Sequence, residues 1–575
     1  MSDLNDKLLY LNENITDREL LVKTGFKVLN GSSNLSQQCI GISYLERSLD
    51  KKAKPKPFSI NEPQGKILAM WCGRFYYQQG NYTKAEKLIN LAATSTLEGD
   101  DAAIQQATLQ LTLAAHSTNS DESEEYLCKG NILIEKLLNK KDLNLSTVRD
   151  PTNDHYVYCL FSSFYLETLY EADWKNVANS YYKLAIKAWP ALNYTNIKKE
   201  KPKKIIKIGI VSPFLHKSNS VIRDFGETLK RLPKDKFSLH LIYLKEQNLP
   251  ISEDCKSWNA LSEIIEVKNE INPLSESGIP KWLFDTRLKV ANMKLDMILY
   301  LDLTMSPMAH RLAMSRLAPI QLTSHGHPVT SGINTIDYYI SWQAAEIENA
   351  QQHYVEKLVL LPSKNMHQYH NPVFVNGKST INGEIVPIEK REELFPNIKG
   401  GKRWYVCMQK PFKLHACFGN ILKQILEKDP DCVLILHSGA ERWNLNNEKV
   451  IYLNPLPHHI LLALYRDADI VLDSYYAGGC TTSREAFEMN SVVVTLPAKY
   501  LGGRWSFAFY NILGVFDAVA KDINDYVKLV INIGKNISLR NTIKSKIANN
   551  LHKMFKSEEA VENWTKVLLN IANKN

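Results

Sequence analysis

The stretch IVLDSYYAGGCTTSREAFEMNSVVVTLPAKYLGGR, residues 470–504, decides the fold. Its apolar run Ile470–Asp473 predicts a buried strand that ends at the aspartate. Gly478 and Gly479 allow the backbone to come close to a ligand, and Cys480 with the threonines after it predicts the start of a helix. The apolar run VVVTL then predicts another strand. This order of strand, glycine turn, helix and strand is typical of a parallel α/β unit.

The same alternation extends over most of the chain in two series, which the polar stretch Glu384–Lys402 separates. The first series has strand candidates at Ile205–Val211, Phe237–Tyr243, Leu295–Leu301, Ile320–Ser324, Asp337–Ile340 and Leu358–Leu360. The second has them at Trp404–Met408, Val433–His437, Ile451–Leu453, Ile470–Asp473 and Val492–Thr495. Two such series predict two doubly wound α/β domains that face each other across a cleft, residues 205–390 and 400–575. The helical stretch Asp522–Ala572 is expected to pack back over both domains.

Residues 1–198 show helical periodicity and predict a separate all-α domain, joined to the rest by the basic linker at residues 193–204. Two segments match the tetratricopeptide spacing of small, aromatic and bulky residues. They are Gly73, Tyr76, Ala85, Ile89 and Ala92 in the first segment, and Ala178, Tyr182, Ala185 and Pro190 in the second. We predict degenerate helical repeats that bind the acceptor, and a generic helical bundle remains the alternative.

Composition excludes several classes of protein. The chain has 575 residues with a net charge of +9, a mild excess that is spread over the sequence and favours a solvated surface over nucleic-acid binding. The amino terminus lacks the apolar run of a secretory signal, and no run of apolar residues is long enough to span a membrane. The nine cysteines are scattered without CxxC pairs, which indicates reduced thiols and a cytoplasmic protein. The oligomeric state is left open.

Five segments resemble glycosyltransferase family 41, the O-GlcNAc transferases, SPINDLY-type O-fucosyltransferases and bacterial adhesin N-glucosyltransferases. They are residues 470–504, residues 295–341 with RLAPIQ and GHPVTSG, residues 403–439 with CMQKPFKL, residues 207–225 with KIGIVSPFLHK, and residues 456–469 with LPHHILLALYR. The resemblance covers roughly residues 205–545. It implies the GT-B fold, in which two Rossmann-like domains face a cleft: the first on the acceptor side, the second on the nucleotide-sugar side.

On the donor side, the resemblance implies that Gly479, Cys480, Thr481 and Thr482 lie at the diphosphate and Glu485 at the ribose. Cys480 stands where the family usually has His or Thr. The resemblance further implies that Lys413 binds the diphosphate, and Gln409 the nucleotide if one residue is inserted. The adjacent histidines His458 and His459 come about two residues ahead of the family's nucleotide-side histidine. The resemblance does not choose between them, and His459 is our predicted contact.

On the acceptor side, the resemblance implies catalytic positions for His216, Asp296 and His327, together with Lys413. An imidazole suits proton transfer near neutrality, so His216 is a candidate general base. His327 is the candidate that shapes the acceptor site, and a loop histidine that caps the backbone is its alternative. Two family histidines are replaced here, by Ser220 and Leu299.

The resemblance implies an inverting enzyme that moves GlcNAc or glucose from a UDP-sugar to a Ser/Thr or Asn side chain of a protein or peptide. It also allows GDP-fucose as the donor, and we choose a UDP-sugar because two of the three branches of the family use one. No Asp-x-Asp follows a predicted strand, so we expect neither a metal nor another cofactor. Lys413 and the helix amino terminus would neutralise the leaving diphosphate instead. Two alternatives are an inactive nucleotide-sugar-binding scaffold and a transferase that acts on a glycan.

Overall fold

A computed structural model of the protein describes residues 15–31, 35–59, 62–78, scattered positions from 84 to 117, 119–143, 173–195, 197, 204–216, 219–245, 249–256, 264–268, 279–398, 402–410, 413–443, 445 and 448–574. The chain divides into two compact units. One comprises Met1–Ser117 and Asp121–Leu160, and the other comprises Thr118–Ser120 and Phe161–Asn575.

The described part of the first unit is helical. Its helices are α1 Arg18–Gly31, α2 Leu35–Leu49, α3 Pro63–Gln78 and α4 Ser120–Asn139. A Cβ on Gly25 would meet the Leu45 side chain at 2.6 Å and the Gly41 carbonyl oxygen at 2.8 Å, so α1 and α2 pack closely only because Gly25 has no side chain. Of the first repeat motif, Gly73 and Tyr76 lie on α3, and Ala85, Ile89 and Ala92 lie outside the described residues.

The second unit begins with helix α5, Trp174–Ala188, and contains two parallel sheets. The seven strands of the first sheet pair in the order β3-β2-β1-β4-β5-β6-β7. They are β1 Ile206–Ser212, β2 Phe237–Lys245, β3 Ile264–Lys268, β4 Met297–Tyr300, β5 Ile320–Ser324, β6 Tyr338–Trp342 and β7 Lys357–Leu361. A short antiparallel hairpin follows, made of β8 Phe374–Val375 and β9 Lys378–Ser379.

The second sheet has five strands in the order β12-β11-β10-β13-β14. They are β10 Arg403–Cys407, β11 Cys432–His437, β12 Val450–Leu453, β13 Ile470–Leu472 and β14 Val493–Val494. In both sheets the strand order reverses beside the strand that comes first in the chain. In the first sheet β1 lies between β2 and β4, and in the second sheet β10 lies between β11 and β13. Both orders are those of doubly wound folds, whose ligands bind where the order reverses.

Helices connect the strands and close the unit. Those of the first sheet are α6 Ser220–Arg231, α7 Glu253–Lys256, α8 Lys281–Asn292, α9 Pro307–Ala313 and α10 Arg391–Leu394. Those of the second are α11 Ala416–Lys428, α12 His458–Asp467, α13 Thr481–Glu488, α14 Trp505–Leu513, α15 Ile523–Lys535, α16 Ile537–Asn550 and α17 Glu558–Lys574. Among the described residues, no helix has the length and apolar character that crossing a bilayer requires.

The two sheet domains are joined by contacts from the end of the chain. Trp564 of α17 donates from its indole nitrogen to the carbonyl oxygen of His367, 2.8 Å away, beyond the end of β7. Its ring also packs edge-on against Phe225 of α6. The carboxyl-terminal helix therefore crosses back onto the first sheet domain, in agreement with the prediction that the last helical stretch covers both domains.

Helix α5 packs on the first sheet domain through the second repeat motif. Tyr182 and Ala185 are buried in the same core as Met308 and Leu312. Gly332 has a φ of +71°, and a Cβ there would lie 2.5 Å from Ala178. The glycine of the Thr-Ser-Gly segment thus allows α5 to approach, and this helix belongs to the second compact unit.

Candidate functional site

The loops that follow β10 and β13 meet at the point where the order of the second sheet reverses. The first loop carries Gln409 and Lys413, and the second runs from Asp473 to Thr482. Leu414 and Tyr476 form an antiparallel bridge between the two loops. The structure therefore brings together, at the ligand edge of the sheet, two segments that are more than fifty positions apart in the sequence.

At Gly479 the backbone of the second loop lies directly against polar groups of the first loop and of α13. The buried Gln409 amide donates to the hydroxyl of Thr482 at 2.7 Å. A Cβ on Gly479 would lie 2.4 Å from that amide nitrogen, and 2.5 Å from the hydroxyls of Thr482 and Ser483. Only glycine fits, because the polar groups that surround the start of α13 already occupy the space that a side chain needs.

Asp473 stabilises the glycine turn through hydrogen bonds. Its carboxylate accepts hydrogen bonds from the Gly479 amide at 2.7 Å and from the Thr495 hydroxyl at 2.8 Å. Burial raises the pKa of Asp473, while these hydrogen bonds and the charge of Lys413 oppose that rise. The positive charge of the half-buried Lys413 also lowers the pKa of the Cys480 thiol, against the larger effect of burial. This charge therefore acts on Asp473 and Cys480, at the two ends of the turn.

The helix α13 begins at this junction. Thr481 and Thr482 are its first residues, and both are half-buried. Cys480 precedes them as the N-cap, and its side chain makes no capping hydrogen bond. Burial raises the pKa of the Cys480 thiol, so the thiol is neutral at physiological pH. The unpaired amide groups of the first helical turn, together with Lys413, make a site that suits an anion such as a diphosphate.

Glu485 lies one turn further along α13 and is buried. Its Oε1 accepts hydrogen bonds from Arg223 Nη1 at 2.6 Å and from His458 Nε2 at 3.1 Å. Burial alone would raise the pKa of Glu485, but the His458 hydrogen bond and the Arg223 charge outweigh it, and the pKa is lowered. The carboxylate is therefore ionised and can accept hydrogen bonds from ligand hydroxyl groups.

Of the two adjacent histidines, the structure places His458 at this site. His458 lies between Glu485 and the hydroxyl of Ser379, to which its Nδ1 is 2.7 Å away. His459 instead pairs with the side chain of Asn382, 2.8 Å away, and has no contact with Glu485 in the described structure. The prediction that chose His459 as the donor contact is corrected in favour of His458, since the first turn of α12 points only the latter towards α13.

The first sheet presents two of the predicted acceptor-side residues at its ligand edge. His216 lies in the loop after β1 and pairs by a backbone bridge with Ile251. His327 lies in the loop after β5, is buried, and bonds through Nδ1 to the hydroxyl of Thr304. Its carbonyl oxygen accepts a hydrogen bond from Tyr339. The position of His216 and His327 at the ligand edge is compatible with the predicted acceptor-side roles, which stay predictions.

Asp296 lies at the opposite edge. It precedes β4, and its carboxylate accepts a hydrogen bond from the backbone amide of Lys207, 2.8 Å away, at the start of β1. The structure therefore corrects the prediction of a catalytic Asp296, since this side chain secures the amino-terminal ends of two strands. The aspartate at the ligand edge is Asp302, which is buried and accepts a hydrogen bond from Ser212. Leu299 is buried within the core.

A cluster of buried histidines, not singled out by the sequence analysis, lies between the two domains: His325, His367 and His370. The rings of His325 and His367 are 4.6 Å apart, and Trp505 of α14 packs against both. Burial lowers the pKa of all three, that of His325 to about 4. These histidines are therefore neutral near pH 7.

Across the described residues, no group of three or more His, Cys, Asp or Glu side chains is arranged to hold a metal ion.

Comparisons with known proteins agree with the sequence resemblance. Residues 433–562 match the family model described as glycosyl transferase family 41. The chain is 26% identical over 239 residues to SPINDLY of Oryza sativa subsp. japonica, a probable UDP-N-acetylglucosamine–peptide N-acetylglucosaminyltransferase, covering 39% of this chain and 24% of that protein. It is 23% identical over 234 residues to SEC of Arabidopsis thaliana, which carries the same name as a probable N-acetylglucosaminyltransferase, covering 38% of this chain and 23% of that protein. The chain thus spans about a quarter of the length of these relatives.

Among solved structures, a mutant of the O-GlcNAc transferase of Thermobaculum terrenum superposes with a TM-score of 0.64. The match covers 97% of this chain and 99% of that one at 17% sequence identity. At this identity the likeness shows the fold. The predicted GT-B architecture, two Rossmann-like domains preceded by a helical region, is therefore confirmed.

Proposed function

We propose that this chain, whose residues 433–562 match the model of glycosyl transferase family 41, moves a sugar from a UDP-sugar to a protein side chain. The observation that carries the proposal is the junction of the loops after β10 and β13. There Gln409, Lys413 and Gly479 surround the first turn of α13, and the ionised Glu485 lies one turn away. A site for an anion beside an acceptor for hydroxyl groups fits a nucleoside diphosphate.

The reaction would be a direct displacement with inversion. The acceptor oxygen or nitrogen forms a bond to the anomeric carbon while the bond from that carbon to the diphosphate oxygen breaks, and the diphosphate leaves with the electron pair. Negative charge grows on the leaving oxygen, where Lys413 and the amide groups of Thr481 and Thr482 can stabilise it. The acceptor proton passes to a base, for which His216 is the candidate. We also propose that this cationic site makes a metal unnecessary.

The proposed donor is UDP-GlcNAc or UDP-glucose, and the proposed acceptor is a Ser/Thr or Asn side chain. The names of the SPINDLY and SEC relatives favour UDP-N-acetylglucosamine and a peptide acceptor. A helical region ahead of the transferase domains fits the binding of an extended peptide. We further propose a cytoplasmic location, which the free thiols of all described cysteines support.

Intact mass spectrometry of peptides tests the proposal. The full chain is incubated with a mixed peptide library and UDP-GlcNAc, UDP-glucose or GDP-fucose in separate reactions that contain EDTA. We expect one peptide to gain the mass of one N-acetylhexosamine or one hexose. Nucleotide binding without transfer from any donor would point instead to a scaffold without activity or to a glycan acceptor.

A further inference from the structure

Helices α6 and α13, which belong to different sheet domains, carry the same charge pattern at the same helical positions. The first begins at Ser220 and the second at Thr481. In each helix the fourth residue is an arginine and the fifth is an acid, Arg223-Asp224 in α6 and Arg484-Glu485 in α13.

The two pairs cross between the domains. Arg223 Nη1 lies 2.6 Å from Glu485 Oε1, and Arg484 Nη2 lies 3.0 Å from Asp224 Oδ1. Each helix therefore gives one cation and one anion to the other, as at a two-fold contact. We call these four residues the charge clasp. Asp224, Arg484 and Glu485 are buried, and buried charges are tolerated when each is paired and hydrogen-bonded.

The two oxygens of the Glu485 carboxylate have different environments. Arg223 and His458 both donate to Oε1. Oε2 accepts no hydrogen bond from any described residue. The clasp therefore fixes the direction of the carboxylate through one oxygen and leaves the other able to accept hydroxyl groups.

Arg223 is not needed to hold the two domains together. Glu488 accepts hydrogen bonds from the amides of Val373 and Phe374 at 3.0 and 2.6 Å. Arg504 of the second domain donates to the carbonyl oxygen of Ala345 in the first at 2.6 Å. Because these contacts remain when Arg223 is replaced, a variant at this position is expected to fold with its domains in place.

We propose that Arg223, on the acceptor-side domain, is a positioning residue for the ribose of the donor, which it acts on through Glu485 of the opposite domain. This inference rests on the proposed function, since it assumes that a nucleoside diphosphate binds at the start of α13. It adds a residue of the first domain to donor recognition. Donor binding thereby depends in part on closure of the two domains, because Arg223 reaches the carboxylate, which His458 of the second domain also contacts, only when α6 and α13 are in contact.

Calorimetric titration of the full chain with UDP and with 2′,3′-dideoxy-UDP tests the proposal. Arg223→Gln is expected to weaken UDP binding about tenfold, the effect of one charge-assisted hydrogen bond, and to leave dideoxy-UDP binding within about twofold. A purely structural role for Arg223 would weaken both ligands equally. Lys230→Gln is the matched control, since it removes a positive charge from the same helix and Lys230, among the described residues, forms an ion pair only with Glu227 of that helix.

Arg223→Lys keeps a cation and is expected to recover most of the preference for UDP over dideoxy-UDP. It also tests the proposal if Arg223→Gln does not fold. Equal weakening of both ligands, or unchanged UDP binding in Arg223→Gln, would overturn the role of Arg223 and leave the proposed function standing. If the unmodified chain binds neither ligand, the proposed function fails and this inference fails with it.

Discussion

The side-chain amide of Gln409 donates a hydrogen bond to the hydroxyl of Thr482, 2.7 Å away, and joins the two loops that end β10 and β13. This contact fixes the start of α13 against the loop that carries Lys413. It explains why Gly479, which lies against both groups, can have no side chain.

Lys413→Ala is expected to lower kcat about 10²- to 10³-fold, the usual effect of removing one group that stabilises a leaving anion. The melting temperature should change little, because Lys413 is half-buried on a loop and belongs to no core cluster. Initial rates of UDP release measure the effect. Lys423→Ala, an exposed lysine on the following helix α11, is the control and should retain normal turnover.

Gly479→Ala is expected to weaken UDP binding more than tenfold, since the added methyl group displaces the Gln409 amide and the Thr482 hydroxyl. Overpacking of this kind also costs about 1–3 kcal/mol of stability. Gly377→Ala provides a matched loss of stability, because Gly377 has a φ of +76° with open space around it. UDP affinity that is normal in both variants would contradict the placement of the diphosphate site beside Gly479.

His458→Ala is expected to raise the donor KM about five- to tenfold, since it removes one hydrogen bond to the buried Glu485 carboxylate. His459→Ala should have no effect on KM, because its ring pairs with the side chain of Asn382 and not with Glu485. Steady-state kinetics of both variants decide which of the two adjacent histidines serves the site. A larger effect at His459 would contradict the structure.

Acid is expected to destabilise the second unit through its buried histidines. Burial lowers the pKa of His325 to about 4, with Asp224 opposing the shift and Arg484 adding to it. In the unfolded chain a histidine binds its proton near pH 6.5, so the unfolded state gains protons first as the pH falls. The stability that neutral His325 contributes is complete above pH 6.5 and is lost towards pH 4.

At pH 5 this loss is about 2 kcal/mol for His325 alone. His325→Phe keeps the stacking on Phe225 and removes the titration. Melting temperatures are measured at pH 7 and pH 5 by near-ultraviolet circular dichroism. The drop in melting temperature from pH 7 to pH 5 should be smaller in this variant than in the unmodified protein. An identical fall in both proteins would exclude His325 as a source of the pH dependence.

The sequence was sufficient for all but one of the strands in the two parallel sheets. Each predicted strand coincides with an observed one, and most of them are central strands, which are buried on both faces and appear as apolar runs. The missed strand β3 forms the outer edge of the first sheet, where a short run such as Ile264–Lys268 has only one neighbour and little apolar signal. The strands bordering the site were all central, so the site's location could be predicted.

The charge clasp lay beyond the reach of sequence analysis. Arg223 and Glu485 are 262 positions apart, and only the packing of the two domains brings them together. The signal that was present is the repeated Arg-acid pair at the same positions of two helices. For Asp296, the family resemblance located the right strand but the wrong end of it. For His458 and His459, helix orientation decided between neighbours that a sequence alone treats as equal.

Calorimetric titration of the full chain with UDP in the presence of EDTA tests the central claim most directly. We predict that one UDP molecule binds per chain without a divalent metal. The affinity for UDP should fall at least tenfold in Lys413→Ala, because the variant loses a charged contact. A chain that binds no UDP, or a Lys413→Ala variant with unchanged affinity, would contradict a nucleotide site at the junction of the loops after β10 and β13.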